Sequence, residues 1–101
     1  MIPLYIKITN IVYKIEPLRG YYFVNLEKLA EDMKNQGYKV KFNREKFPGL
    51  IIINPSFISE KINHITIFEN AKMIVSAKNS LEEEDIKKIY DFLEKYTSKI
   101  W

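Results

Sequence analysis

The stretch HITIFENAKMIVSAK, residues His64–Lys78, decides the fold, because two runs of β-branched and apolar residues flank the short connection Asn70-Ala71. Such runs are typical of strands, and a connection this short joins antiparallel neighbours in a hairpin. The stretch therefore predicts one strand over HITIFE, a second over AKMIVSAK, and an antiparallel sheet that contains both.

Three further strands are predicted upstream of the hairpin from their β-branched and aromatic composition: Leu4–Ile15, Tyr38–Phe42 and Leu50–Asn54. Pro17 and Gly20 end the first of them. A turn at Phe47-Pro48-Gly49 precedes the third, and the segment from Pro55 to Asn63 reads as a loop.

Two segments have helical periodicity. The first is Leu26–Gln36, with Asn25 as its N-cap and Gly37 as its stop. The second is Leu81–Ser98, with Ser80 as its cap, acidic residues in its first turn, and Lys95 and Lys99 in its last. Its predicted buried stripe consists of Ile86, Ile89, Tyr90, Leu93, Tyr96 and Ile100.

The element order is β-α-β-β-β-β-α, an α+β fold with an antiparallel sheet and two helices in a single domain, residues 1–101. Two helices cover one face of such a sheet. We predict that this face carries Ile11, Tyr13, Ile15, Leu50, Ile52, Ile65, Ile67, Met73 and Val75. The other face would carry Ile8, Asn10, Val12, Ile51, Ile53, Thr66, Phe68, Ile74 and Ser76. Because this second face is largely apolar, we expect it to bind something; burial in a homo-oligomer is the alternative that the pattern alone leaves open.

The chemical inventory argues against an enzyme. The chain has no cysteine and a single histidine, His64, so thiol chemistry is excluded and a histidine-based metal site lacks a second imidazole. The acidic run LEEED suits the start of a helix, where the residues point in different directions. We expect no catalytic site, no cofactor and no metal.

Composition also bounds location and partners. No apolar run approaches the ~20 residues of a membrane span, and the N-terminus lacks a signal-peptide pattern, so a cytoplasmic protein with no membrane partner is expected. A net charge of +3 is compatible with a polyanionic partner. The richness in lysine and isoleucine is typical of an AT-rich genome or a heat-adapted source, an archaeal-like composition.

Four pieces, in order, resemble one repeat of the TATA-box-binding protein family: ITNIV (Ile8–Val12), FPGLI (Phe47–Ile51), ITIFENAKMIVSAK (Ile65–Lys78) and the final amphipathic helix. The resemblance covers the chain from about Ile8 to Tyr96. It implies a curved sheet with both helices on the convex face and a concave face that binds the minor groove of A·T-rich duplex DNA. Because one repeat is half of that family's saddle, it also implies a homodimer that pairs the first strands, acting in transcription and associated with the nucleoid.

The resemblance also implies roles for particular residues. Phe47 and Phe68 fall on the positions of the wedges that enter base steps, and Asn10 falls on the asparagine that reads groove acceptors. The full set of DNA-binding residues that it implies is Asn10, Val12, Phe47, Pro48, Thr66, Phe68, Lys72, Ser76 and Lys78. Lys39, Lys41, Arg44 and Lys46 add positive charge near the wedge turn.

Two substitutions motivate other functions. Ile53 stands where the family has a phosphate-clamping arginine, and Glu69 brings a negative charge next to Phe68. One alternative is therefore a protein-interaction module that has lost DNA binding. The other is a module that binds RNA–DNA hybrids beside a separate nuclease. Only Glu45 matches the acidic pattern on which the family docks a transcription factor IIB-type partner, so a conventional initiation complex is not expected.

Overall fold

The computed structural model describes residues 10–43, 45 and 49–100. The start of the predicted first strand and the wedge-turn residues Phe47 and Pro48 lie outside this part of the chain.

The described chain forms seven strands and two helices. The strands are β1 (Ile11–Ile15), β2 (Tyr22–Val24), β3 (Val40–Asn43), β4 (Leu50–Ile53), β5 (Ile62–Phe68), β6 (Met73–Ala77) and β7 (Thr97–Lys99). The helices are α1 (Leu26–Asn35) and α2 (Glu83–Leu93). Five strands form an antiparallel sheet in the order β1-β6-β5-β4-β3, and β2 pairs with β7 in a separate two-stranded sheet. The α+β class, the antiparallel sheet and the two helices are confirmed.

The predicted hairpin is formed by β5 and β6. The Phe68 amide donates to the Lys72 carbonyl (2.9 Å), and the Ala71 amide donates to the Phe68 carbonyl (2.9 Å). Ala71 takes a positive φ of 71° to close this turn, a conformation that is uncommon for a residue with a Cβ.

Helix α1 has the ends that the sequence predicts. The Asn25 side-chain oxygen accepts from the Lys28 amide at 3.1 Å, and Gly37 follows the helix with φ +86°. The buried residues Leu26, Leu29, Ala30 and Met33 pack this helix onto the sheet.

The prediction for the second helix is wrong at both ends. Its N-cap is Glu82, not Ser80, and the Asp85 carboxylate accepts from the Glu82 amide at 2.9 Å. The helix stops at Leu93 and a 3-10 turn, Glu94–Tyr96, leads into β7, which contains Lys99. Pairing between β7 and β2 competes with continuation of the helix. The lysines predicted for its last turn are therefore not in α2.

The buried stripe of this helix is narrower than predicted. Ile89, Leu93 and Tyr96 are buried and Ile86 packs against the core, but Tyr90 and Ile100 are exposed. Ile100 leaves the helical course because its amide donates to the Tyr21 carbonyl, beside the β2–β7 ribbon.

The core lies between the five-stranded sheet and both helices. The two sides of β4 are the reverse of those predicted. Ile51 and Ile53 are fully buried on the helix-covered face, and Leu50 and Ile52 lie on the opposite face. Ile51 is registered opposite Ile67 and Ile53 opposite Ile65, which are both in the core. Four consecutive apolar residues carry no alternation, so only the register could assign their sides.

Candidate functional site

The sheet has one face that carries neither helix, here called the open face. Cross-strand pairs define it: Val12 lies opposite Ser76, Ile74 opposite Lys14 and Thr66, Ile52 opposite Thr66 and Lys41, and Leu50 opposite Phe68 and Asn43. His64 belongs to it through its pairing with Ser76. These strand residues present an apolar centre, and none of them is acidic.

The outer strands of the open face carry positive charge. Lys14 on β1 and Lys41 on β3 are both exposed, one at each side of the sheet, and between them lie Ile74, Thr66 and Ile52. Val12 is 61% and Ile74 37% exposed, so apolar surface is open to solvent. An apolar strip between two lysines suits a flat anionic partner whose centre is apolar.

The structure brings together five of the residues predicted to bind DNA. Val12, Thr66, Phe68 and Ser76 lie on strands of the open face, and Asn10 contacts Ser76 just before β1. Phe68 is half-buried at the end of β5, opposite Leu50. Phe47 and Pro48 lie outside the described residues.

The two predicted lysines lie at opposite ends of β6. Lys72 precedes the strand, and its ammonium group lies 3.8 Å from the Glu16 carboxylate in an exposed ion pair. Lys78 follows the strand, is exposed, and its amide donates to the Lys61 carbonyl at 2.7 Å. Of the basic cluster near the wedge turn, Lys41 lies on the open face, Lys39 precedes β3, and Arg44 and Lys46 are outside the described residues.

A polar corner occupies one end of the open face and was not foreseen. The β5–β6 register shifts between Ile62 and His64, which makes Asn63 the extra residue of a β-bulge. The Asn10 side-chain oxygen accepts from the Ser76 hydroxyl and from the Asn63 amide group, the latter at 3.5 Å. Ser76 is only 5% exposed, so it contributes mainly through Asn10. A bulge leaves no mark in the sequence that would have revealed Asn63.

Ile53 and Glu69, the residues that argued against DNA binding, both lie away from the open face. Ile53 is in the core. A Cβ added at Gly49 would lie 3.6 Å from a Glu69 carboxylate oxygen and 3.7 Å from the Leu26 side chain, so the carboxylate is on the side of the sheet that carries α1. Neither residue therefore affects the charge of the open face directly.

Charge is divided between the two layers of the molecule. Nine of the thirteen carboxylates belong to the helices, the N-cap of α2 or the 3-10 turn: Glu27, Glu31, Asp32, Glu82, Glu83, Glu84, Asp85, Asp91 and Glu94. The same elements contain five lysines, so their net charge is −4, whereas the strands of the five-stranded sheet contain Lys14 and Lys41 and no carboxylate, a net charge of +2. The electrostatic potential is therefore more positive at the sheet than at the helices.

Among the described residues three titratable groups have shifted pKa values: Asp85 and Tyr96 in the helix layer, and Lys61, whose pKa is raised by its hydrogen bond to Asp85. The backbone amide of Glu82 holds the pKa of Asp85 below its usual range, with help from Lys61, whose ammonium group is 3.2 Å away. Burial raises the pKa of Tyr96 to about 12, assisted by its hydrogen bond to the Asp32 carboxylate at 2.8 Å. The contacts of Asp85 with Lys61 and of Tyr96 with Asp32 join different elements, and none of the three groups lies on the open face.

A cleft of about 770 Å³ lies on the helix-covered side, lined by residues that include Pro17, Arg19, Tyr22, Met73 and Tyr90. None of the predicted DNA-binding residues that the structure describes lines this cleft. Within residues 10–43, 45 and 49–100, no three His, Asp or Glu side chains are grouped so that they could hold a metal ion. Neither α1 nor α2 has the length and apolar composition that a bilayer span requires.

Comparisons with protein-family models, with curated proteins and with solved structures gave no match.

Proposed function

We propose that this protein binds duplex DNA through its open face, in the minor groove of A·T-rich sites, as a homodimer that resembles the two-repeat saddle of the TATA-box-binding protein family. The observation that carries the proposal is the open face itself: an apolar centre, lysines on both outer strands and no acidic residue among its strand positions. A minor-groove surface needs apolar contact with sugars and base edges and positive charge toward phosphates.

The element order supports the same proposal. When the short β2 and β7 are set aside, the remaining elements run β-α-β-β-β-β-α, which is the order of one repeat of that family. In this proposal the sheet is curved, with the open face concave, and Asn10, Val12, Thr66 and Phe68 contact the groove.

The position of β1 supports the proposed homodimer. This strand forms one edge of the five-stranded sheet and pairs with β6 on one side. Two chains that place β1 against β1 would continue the sheet across a twofold axis and join two open faces into one surface. A complex of two chains per duplex is the expected stoichiometry.

The first test is fluorescence anisotropy of a labelled A·T-rich duplex, with a G·C-rich duplex for comparison, at three salt concentrations. We expect salt-dependent binding that prefers the A·T-rich duplex. Phe68→Ala should weaken it, whereas Tyr90→Ala, which removes an exposed aromatic ring from α2, should not. Stronger binding to an RNA–DNA hybrid, or association with a protein that is insensitive to salt, would favour one of the two alternative functions.

Charge-matched variants separate the sheet from the helices. In the double variant Lys14→Gln with Lys41→Gln, the log–log salt slope should become shallower by about 2 for one bound chain or about 4 for two, because each phosphate contact contributes ~0.9. Lys28→Gln with Lys87→Gln removes the same charge from α1 and α2 and should leave the slope nearly unchanged. Equal slopes for the two double variants would mean that the open face does not contact the phosphates.

A further inference from the structure

The bulge residue Asn63 has no place in the resemblance, yet it reaches the open face. Ile62 is registered with Ala77 and His64 with Ser76, so Asn63 has no cross-strand partner of its own and its side chain lies beside Asn10. A bulge is a common way to re-aim a single side chain at a functional surface.

We propose that Asn63, together with Ser76, is a positioning residue that fixes the amide of Asn10 with its N–H donors toward the ligand, and that this orientation makes the open face reject G·C pairs. The inference rests on the proposed DNA binding and names what sets its base preference.

The orientation of Asn10 follows from its contacts. The Ser76 hydroxyl donates to the Asn10 side-chain oxygen. Asn63 adds a second donor to the same oxygen at 3.5 Å. With its oxygen held toward the protein by two donors, the Asn10 amide presents its NH2 group on the opposite side.

Base discrimination follows from donor chemistry. The floor of the minor groove offers only acceptors at A·T pairs, whereas G·C pairs add the donor N2 amino group of guanine. An NH2 group held outward can bond to the acceptors but opposes the guanine amino group. If the side-chain amide of Asn10 were flipped, its oxygen would accept from the guanine amino group. The preference for A·T-rich over G·C-rich duplexes would then decrease or reverse.

The decisive variant is Asn63→Asp. Its carboxylate can only accept, so it should turn the Asn10 amide over by drawing the NH2 group toward the protein. Asn54→Asp is the control, because it introduces the same charge at an exposed position just after β4. Three duplexes serve as probes: A·T-rich, G·C-rich, and inosine·cytosine, which lacks the guanine amino group.

For the wild type we expect the A·T-rich and inosine duplexes to bind similarly and the G·C-rich duplex more weakly. Asn63→Asp should reduce the ratio of A·T to G·C affinity about tenfold, while Asn54→Asp should lower both affinities and keep the ratio. Ser76→Ala, which removes the other donor, should shift the ratio in the same direction as Asn63→Asp, and a circular-dichroism melt of each variant establishes that it is folded.

The outcomes separate the two proposals. An unchanged ratio in folded Asn63→Asp would overturn the positioning role while leaving DNA binding intact. Equal wild-type affinity for the G·C-rich and inosine duplexes would also overturn it, because the guanine amino group would then not be sensed. Failure of the wild type to bind any duplex would overturn the proposed function itself.

Discussion

Replacement of Asp85 by Asn should destabilise the protein and make its stability less dependent on acidic pH. One carboxylate oxygen of Asp85 accepts from the Glu82 amide at 2.9 Å and lies 3.2 Å from the Lys61 ammonium group, so it joins the start of α2 to the loop before β5. In the variant, the asparagine oxygen can still accept one of these hydrogen bonds, but it lacks the negative charge of the carboxylate. Because Lys61 is partly exposed, most of the loss falls on the amide contact.

At pH 7 the variant should lose about 1–2 kcal/mol of its free energy of unfolding. This loss arises because a charged hydrogen-bond acceptor is replaced by a neutral one and the ion pair with Lys61 is weakened. In a domain of this size that corresponds to roughly 5–15 °C in the melting temperature. The folded-state pKa of Asp85 is lowered, so its contribution is present above the unfolded-state pKa and is lost as the pH falls through the folded-state value. Wild type and variant should therefore converge in stability as the pH falls below the folded-state pKa of Asp85.

Urea unfolding followed by circular dichroism at pH 7 and at low pH measures both effects. Glu84→Gln is the matched control: it removes one negative charge from the same turn of α2, and its ion pair with Lys88 is exposed at 3.8 Å. It should cost less than about 0.5 kcal/mol. Equal losses of stability in the two variants at pH 7, or a loss in Asp85→Asn that persists unchanged at low pH, would contradict this role of Asp85.

Three more predictions test the fold. Ile53→Ala should lower the free energy of unfolding, measured in urea, by about 2–5 kcal/mol. Ile52→Ala should lower it clearly less, since only Ile53 is in the core. The reverse order would contradict the assignment of Ile53 to the buried side of β4. Tyr96→Phe should destabilise the folded protein by about 1 kcal/mol at neutral pH. Because the folded-state pKa of Tyr96 is raised to about 12, this difference in stability from wild type should shrink as the pH rises above about 10. A difference that does not change with pH would exclude a contribution from the Tyr96 hydroxyl. Ala71→Gly should stabilise the protein by about 0.5 kcal/mol, because glycine adopts the positive φ without strain; the loss of methyl packing against the core reduces this gain. A lower melting temperature for the variant would show that the lost packing outweighs the relieved strain.

Local signals predicted the elements that carry them strongly. Asn25 and Gly37 mark the ends of α1 because capping chemistry acts within one turn of the chain. The β5–β6 hairpin was predicted because its composition and its short connection are both local features. The prediction failed where the signal was absent: β4 has four adjacent apolar residues and no alternation, and α2 ends at Leu93 only because the next residues pair with β2.

The candidate site was predicted in part. Alternation along the strands was sufficient to place Asn10, Thr66, Phe68 and Ser76 on one face, and the resemblance gave Asn10 its expected role. Asn63 could not be predicted, because a bulge depends on the register between β5 and β6. The residues around Asn63 carry no local pattern that reveals this register.

The α+β class, the order of the main elements, α1 with both of its caps and the net charge of +3 could all be read from local features of the chain. These depend on periodicity, capping and composition, which are properties of neighbouring residues. The tertiary structure alone decided which side of β4 is buried, where α2 ends, that β2 and β7 pair, and that Ile53 and Glu69 lie away from the open face. Those outcomes depend on strand register and on pairing between residues far apart in the chain, which no local pattern records.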